Sequence, residues 1–214
     1  MSIQTAILPM KLRIVLATTN PAKLRELAEL LAPWRVEVLA QSRFTPESVA
    51  ETGLTFVENA ILKARHAAAR SGLPAVADDS GIEVDALEGR PGIYSARYAG
   101  PDSSDTDNLQ RLLVELAGVP PEKRTARYRC ALVYMRFAAD PAPVVCQASW
   151  EGTILAESRG KGGFGYDPIF QVAGLDVTAA ELSAETKNQL SHRGKALRLL
   201  VEELEASGCL PRRA

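Results

Sequence analysis

Pro74-Ala75-Val76-Ala77-Asp78-Asp79-Ser80-Gly81 is the stretch on which the reading of this chain turns. The apolar run reads as a buried strand, and in open α/β sheets the residues delivered at a strand end line a ligand crevice. Here those residues are two carboxylates, a hydroxyl and a glycine, which is expected to let the backbone turn tightly. Carboxylate oxygens suit a hard cation such as Mg²⁺, and sparse Mg²⁺ sites usually handle phosphates. The plainer alternative is an Asp-Asp-Ser-Gly turn that only starts the next element. The rest of the chain has to choose.

Upstream, Ile14-Val15-Leu16-Ala17 is another short apolar strand, followed by Thr18-Thr19-Asn20-Pro21. Asn20 suits a helix N-cap and Pro21 the first helical position, where no amide donor is needed. Leu24, Leu27, Ala28 and Leu31 then share one helical face, and Pro33 stops it. A second helix opens at Thr55, with Glu58 completing a capping box, and runs to about Ser71 before Gly72. Strand, helix, short strand, helix, strand favours an α/β sheet with crossovers. A helix over Asp105 to Leu116 follows. Thr125–Phe137 and Val144–Trp150 then read as an antiparallel hairpin about Ala138-Ala139-Asp140-Pro141. Ser191 to about Ala206 reads as a last amphipathic helix, ending near Gly208. The fold class expected is α/β, a mixed elongated sheet flanked by helices, in two lobes about a central cleft. Residues 13–210 are expected to form one two-lobed domain behind an N-terminal extension over 1–12.

With 214 residues, 46% of them hydrophobic, the chain can bury one substantial core. A net charge of −1 argues against a protein that coats nucleic acid or an anionic membrane. No apolar stretch has the length of a membrane span, and the first ten residues lack a charged leader region. Cys130, Cys146 and Cys209 have neither CxxC spacing nor an even count, which suggests reduced thiols in a cytoplasmic compartment.

Further polar groups gather where elements start or stop. A helix N-terminus at Thr18-Thr19-Asn20, with Lys23 one turn in, favours a phosphate, although the glycine pattern of a Walker loop is missing. Glu51-Thr52-Gly53-Leu54 leads into a helix whose Asn59 and Lys63 share a face that can point at the cleft. Gly160-Lys161-Gly162-Gly163-Phe164-Gly165-Tyr166-Asp167-Pro168 presents one aromatic on a backbone free to approach a ligand. Such a ring can stack on a base. Lys187-Asn188 precedes Ser191-His192-Arg193-Gly194, where Ser191 is a natural N-cap. Neither His66 nor His192 belongs to a zinc spacing or a nucleophilic triad. Each segment has an ordinary structural explanation. Their complementarity does not: carboxylates for a metal, lysines for phosphates and an aromatic for a base describe a nucleotide.

In order and spacing these segments, with Pro91-Gly92-Ile93-Tyr94-Ser95-Ala96-Arg97, closely resemble the non-standard purine nucleoside triphosphate pyrophosphatases. This is the inosine/xanthosine triphosphatase family, and its bacterial dITP/XTP branch looks nearest. The resemblance runs from about Arg13 to Ala206; only the N-terminal extension and the Val172 to Val177 loop stand apart. It implies hydrolysis of ITP, dITP and XTP to monophosphate and pyrophosphate with Mg²⁺, by a homodimer that cleanses the nucleotide pool. It also implies that Thr18, Thr19, Asn20, Lys23, Lys63 and Lys187 grip phosphates and sugar, Lys63 acting with the catalytic Asp78 and Asp79. Glu51 and Asp79 would be the metal ligands and Asp79 the proton acceptor. Phe164 would stack on the base, and Asp167, His192 and Arg193 would read its edge. Ser80, Gly165 and Tyr166 complete the substrate-binding set. A Mg²⁺-dependent phosphomonoesterase or nucleotidyltransferase would also want paired aspartates, but leaves the glycine-aromatic loop unexplained. A non-catalytic nucleotide sensor has no need of Glu51 and Asp79.

Overall fold

The computed structural model describes residues 12–18 and 20–211. Thr19 and nearly all of the expected N-terminal extension therefore lie outside the described residues. Six strands form one mixed sheet: β1 (Arg13–Leu16), β2 (Glu37–Ala40), β3 (Ala75–Val84), β4 (Thr125–Met135), β5 (Val144–Ile154) and β6 (Phe170–Val172). Their order is β2-β1-β3-β4-β5-β6. β2, β1 and β3 run parallel, while β3 through β6 pair antiparallel. The helices are α1 (Pro21–Leu31), α2 (Phe56–Ser71), α3 (Asp105–Glu115), α4 (Ala184–Leu190) and α5 (His192–Ala206). The mixed α/β architecture expected from the sequence is borne out. Among the described residues no helix is long and apolar enough to cross a membrane.

Local chemistry sets the element ends. Thr55 and Glu58 form the reciprocal capping box of α2, and Gly72 closes that helix at φ 67°. Ser191 caps α5 by accepting from the Gly194 amide at 3.1 Å. Alternation along β3 and β4 then builds two apolar faces. Val76, Leu132 and Tyr134 pack under α1 and α5 with Leu27, Leu31 and Leu200. Ala77, Ala131, Val133 and Met135 pack under Ala60 and Ala64 of α2. Toward the far ends of the long strands, Tyr128, Trp150 and Phe170 join Leu109 and Leu112 of α3 in a separate cluster.

Three sequence expectations need correction. The Asp78-Asp79-Ser80-Gly81 segment is no turn: it lies inside the ten-residue strand β3. β4 supplies a ladder partner for every one of these residues, Asp78 opposite Leu132 through Gly81 opposite Arg129. What ends there is β1, whose last pairing is Leu16 with Val76. Beyond it that edge of β3 has no ladder partner among the described residues until Pro91 bridges Glu83, and the polar residues fall at this gap. Gly81 does not provide a turn either. Its missing side chain leaves room for the Gly92 carbonyl, which an added Cβ would meet at 2.3 Å, and for Ser95 Oγ at 2.6 Å. The hairpin is longer than its apolar run, with β5 continuing to Ile154, and β6 and α4 carry too few residues to show a period.

Candidate active site

Where β1 stops, a cavity of about 520 Å³ opens, lined by Thr18, Lys23, Glu51, Lys63, Asp78 and Arg97. Its charges are paired across elements. Lys23 of α1 donates to both oxygens of Asp78 at 2.9 and 2.7 Å. From the start of α5, Arg193 Nε approaches the same carboxylate at 3.4 Å. Lys63 of α2 sits between Asp79 Oδ1 at 2.7 Å and Glu51 Oε1 at 3.2 Å. Arg97 holds the other Glu51 oxygen at 2.8 Å.

These neighbours move the carboxyls in different directions. Burial alone would raise Asp78, but Lys23 and Arg193 hold it far below the usual carboxylate range. Burial also raises Asp79, and Lys63 does not fully offset it because the negative Glu51 and Asp78 are close; its pKa stays above the ordinary value. Glu51 is pushed up by burial yet ends lowered by Lys63 and Arg97. Lys63 itself is penalised by burial and ends raised, facing Asp79, Asp78 and Glu51. Asp79 is thus the least compensated acid of the cluster and the one best suited to take a proton.

A second cavity of about 600 Å³ shares Lys23 with the first and extends toward the far end of the sheet. Phe164, Asp167, Lys187, His192 and Arg193 all line it, as do Asn20, Ser80, Gly165 and Tyr166. The glycine-rich loop is built around Asp167. Gly163, at φ 73°, has no room for a side chain, since an added Cβ would fall on Asp167 Oδ2. That oxygen accepts from the Phe164 amide at 2.8 Å and from Lys187 Nζ. Gly165 donates to Asp105 at 2.8 Å, and the Tyr166 hydroxyl donates to the Ser95 carbonyl at 2.8 Å. Phe164 stays 55% exposed, with Lys187 Nζ 4.6 Å and Arg193 Cζ 5.9 Å from its ring centre.

The floor of this cavity is aromatic. His192 lies parallel to Tyr128, centroids 4.8 Å apart, with Trp150 beyond. Burial, then Arg193 and Lys187, hold the imidazole pKa well below its ordinary value, so the ring is neutral. Its Nδ1 is buried without a hydrogen-bond partner. α5 starts this close to α4 because Gly194 presents no Cβ to the Asn188 carbonyl, which would lie 1.7 Å from it.

A long cleft with lysines and an arginine paired to carboxylates at one end and aromatic rings at the other has the form of a nucleotide site. The comparisons agree. A model of the Ham1 family matches residues 14–203. The chain belongs to the Ham1 family. Curated relatives named dITP/XTP pyrophosphatase include those of Pectobacterium atrosepticum and Yersinia pestis. The first is 59% and the second 60% identical over 192 residues, each match covering 90% of this chain and 98% of the relative. The solved HAM1 protein of Coxiella burnetii superposes with a TM-score of 0.87 at 48% identity, covering 91% of this chain and 99% of its own. The Staphylococcus aureus Ham1 protein gives 0.83 at 42%, with coverage of 91% and 99%. The family resemblance drawn from the motifs is borne out.

Within this Ham1-family cleft the structure brings together the described residues given site roles from the sequence, Asp79 through its bond to the cavity-lining Lys63 and not as a lining residue itself; Asn59 is not among them. That side chain is fully buried and lines neither cavity, its Oδ1 accepting from the Gly53 amide at 2.8 Å. It holds the turn after Glu51 and does not face a ligand. Several cleft residues escaped the sequence reading. Arg97 was noticed only within a motif, and its pairing with Glu51 spans a loop. Glu26, Asp105, Asn108 and Tyr128 line the aromatic cavity from α1, α3 and β4, and none carries a local signal.

Proposed function

We propose that this Ham1-family chain is a nucleoside triphosphate pyrophosphatase acting on the non-standard purine nucleotides dITP, ITP and XTP. It releases the monophosphate and pyrophosphate, and so keeps such bases out of DNA and RNA. The observation that carries the reading is the single cleft with Lys23 at its middle. It sets the Lys63–Asp79–Glu51 cluster at one end and Phe164 with Asp167, His192 and Arg193 at the other.

In this reading Phe164 stacks on the base, and Thr18, Thr19, Asn20, Lys23, Lys63 and Lys187 hold sugar and phosphates. Asp79 takes a proton from a water as its oxygen bonds to the α-phosphorus, and the bridging oxygen leaves with the pyrophosphate. Lys63 faces the same carboxylate and offsets the charge that develops. Asp78, fully ionised, fixes Lys23 and Arg193 instead of moving a proton. The donor set fits Mg²⁺: Glu51 and Asp79 offer hard oxygens on either side of one ammonium, and Mg²⁺ commonly takes one or two carboxylates with substrate phosphates. Held there, it would supply charge neutralisation to the phosphates.

The base is chosen by donors. Hypoxanthine and xanthine carry a 6-oxo acceptor where adenine has an amino donor. Arg193, beside the Phe164 ring, meets the first with a bond and the second with two opposed donors. The unpartnered His192 Nδ1 is a further polar atom that a ligand can satisfy. We further propose that residues 13–210 act as one two-lobed domain and that the enzyme is a cytoplasmic homodimer; sedimentation of the purified chain tests its oligomeric state.

The deciding experiment measures pyrophosphate and phosphate release from ITP, dITP, XTP, GTP and ATP, each with Mg²⁺ and with EDTA. Metal-dependent pyrophosphate from the first three and little from the others is expected. Phosphate alone, or equal turnover of all five, overturns the reading.

A further inference from the structure

The phosphate end of the cleft is electrically balanced as it stands. Among the described residues three cations line that cavity, and each faces a carboxylate: Lys23 with Asp78, Lys63 with Asp79 and Arg97 with Glu51. A triphosphate arriving there meets no uncommitted cation among them, although its transfer chemistry calls for several. Mg²⁺ meets the same obstacle, because both Glu51 oxygens are taken, Oε1 by Lys63 at 3.2 Å and Oε2 by Arg97 at 2.8 Å. We propose that Arg97 is a phosphate-binding residue held in reserve: it occupies Glu51 until Mg²⁺ takes that carboxylate, and the released guanidinium then grips the phosphates that leave as pyrophosphate.

This inference rests on the pyrophosphatase reading of the cleft and on Glu51 as a metal ligand. Of the three cations, Arg97 is the one most easily released. Lys23 holds both oxygens of Asp78, at 2.9 and 2.7 Å, and Lys63 has Asp79 at 2.7 Å besides Glu51. Arg97 makes its one ion pair among the described residues with Glu51, and its side chain is 33% exposed, against 23% for Lys23 and 19% for Lys63. Its guanidinium also lies 5.4 Å from the Tyr94 ring centre, a support that does not depend on Glu51. One nitrogen of the planar fork is committed to Glu51, and once it is released the fork matches a pair of phosphate oxygens. Arg97 lines the phosphate cavity and not the base cavity, while Lys23 lines both; in this reading it therefore serves the phosphates and not the base. A metal ion and a guanidinium repel each other on one carboxylate, so metal on Glu51 and Arg97 on phosphate reinforce each other.

The test starts with calorimetric titration of the full-length chain with Mg²⁺ alone, without nucleotide. Arg97→Met removes the competing charge. Its Kd for Mg²⁺ is expected to fall about two- to fivefold, the worth of a partly exposed ion pair, whereas mere structural damage around Glu51 would raise it. At saturating Mg²⁺, KM for ITP and the inhibition constant of added pyrophosphate should both rise about tenfold or more, as for a lost charged hydrogen bond. Arg97→Lys keeps the charge without the fork, so its Mg²⁺ Kd should stay near wild type while KM still rises. An Mg²⁺ Kd that is unchanged or raised in Arg97→Met overturns the proposal, and so does an unchanged KM for ITP. Glu51→Gln shows where such a failure lies: if it weakens Mg²⁺ binding, the metal ligand stands and Arg97 alone is wrong. Should Arg97→Met not fold, Arg97→Gln, also uncharged, gives the same comparison. If the wild type releases no pyrophosphate from ITP, the pyrophosphatase reading fails and the phosphate role of Arg97 with it.

Discussion

Asp78 and Asp79 are consecutive in β3, yet their carboxylates serve opposite faces of the sheet. Asp78 lies opposite Leu132 on the α1/α5 side, where Lys23 reaches it at 2.7 Å and Arg193 at 3.4 Å. Asp79 lies opposite Ala131 on the α2 side and meets Lys63 at 2.7 Å. A two-residue period makes this unavoidable once the segment is a strand. The pair is therefore not a shared-proton dyad, and its members should fail differently. Asp79→Asn should lower kcat by about 10²–10⁴ with folding and nucleotide affinity largely kept. Asp78→Asn leaves two cations facing no carboxylate and should cost about 3 kcal/mol of stability, the low end for a broken buried pair because Lys23 faces the cleft. Turnover assays, nucleotide titration and denaturant unfolding on both variants separate the roles; wild-type-like kcat in Asp79→Asn would remove it as the base.

Glu51 stands across Lys63 from Asp79 and is the second carboxylate proposed for Mg²⁺. Glu51→Gln keeps the shape and removes a charge. The Mg²⁺ concentration for half-maximal pyrophosphate release should rise about tenfold or more, with activity largely restored at saturating metal. EDTA should abolish activity in wild type and variant alike. An unchanged Mg²⁺ titration curve would exclude Glu51 from the metal site.

Gly81 tests the strand assignment itself. Were it a turn glycine, alanine would be a modest backbone change. In β3 an alanine Cβ would meet the Gly92 carbonyl at 2.3 Å and Phe56 at 2.9 Å. Overpacking of this kind costs about 1–3 kcal/mol, or a Tm lowered by several degrees in a chain of this size. Gly81→Ala with a Tm equal to wild type would mean that the Gly92–Ser95 segment yields freely.

These cases show where the sequence was legible. Thr55 and Glu58, or Ser191, are recognisable because a cap is made by residues three apart, and the apolar runs of β1, β3 and β4 are local patterns. β3 looked shorter than it is because Asp78, Asp79 and Ser80 break the apolar pattern. The partners that make those charges tolerable lie far away, Lys23 by 55 positions and Arg193 by 115. The same distance hid Tyr128, whose hydrogen bond to Asp167 spans 39 positions. Motifs placed the cleft residues; their pairing needed the folded chain.

Phe164 stays half exposed, flanked by the half-buried Lys187 and Arg193. If it is a stacking platform, Phe164→Ala removes about 1–3 kcal/mol of binding, since ring stacking has that size. KM for ITP should then rise about 5- to 150-fold, while kcat changes less because the phosphate end is untouched. Phe164→Trp should recover most of the loss. Steady-state kinetics on both variants check this, and an Ala variant with wild-type KM would leave the ring without a role in binding.

His192 links folding to pH. Burial first, then Arg193 and Lys187, hold its pKa in the folded chain well below the ordinary 6.5. Between those two values the unfolded chain binds a proton that the fold does not, so stability rises with pH through the window and is complete above about 6.5. On acidification this residue alone should remove up to about 1.4 kcal/mol per pH unit below 6.5. Asp78, also depressed, is lost only near and below its ordinary 3.8, so the two windows do not overlap at pH 5 to 6.5. Urea unfolding of wild type and His192→Gln at pH 7.5, 6.5 and 5.5 measures the term directly. The variant's curve should be flatter between the last two points; parallel curves would assign the acid loss to other groups.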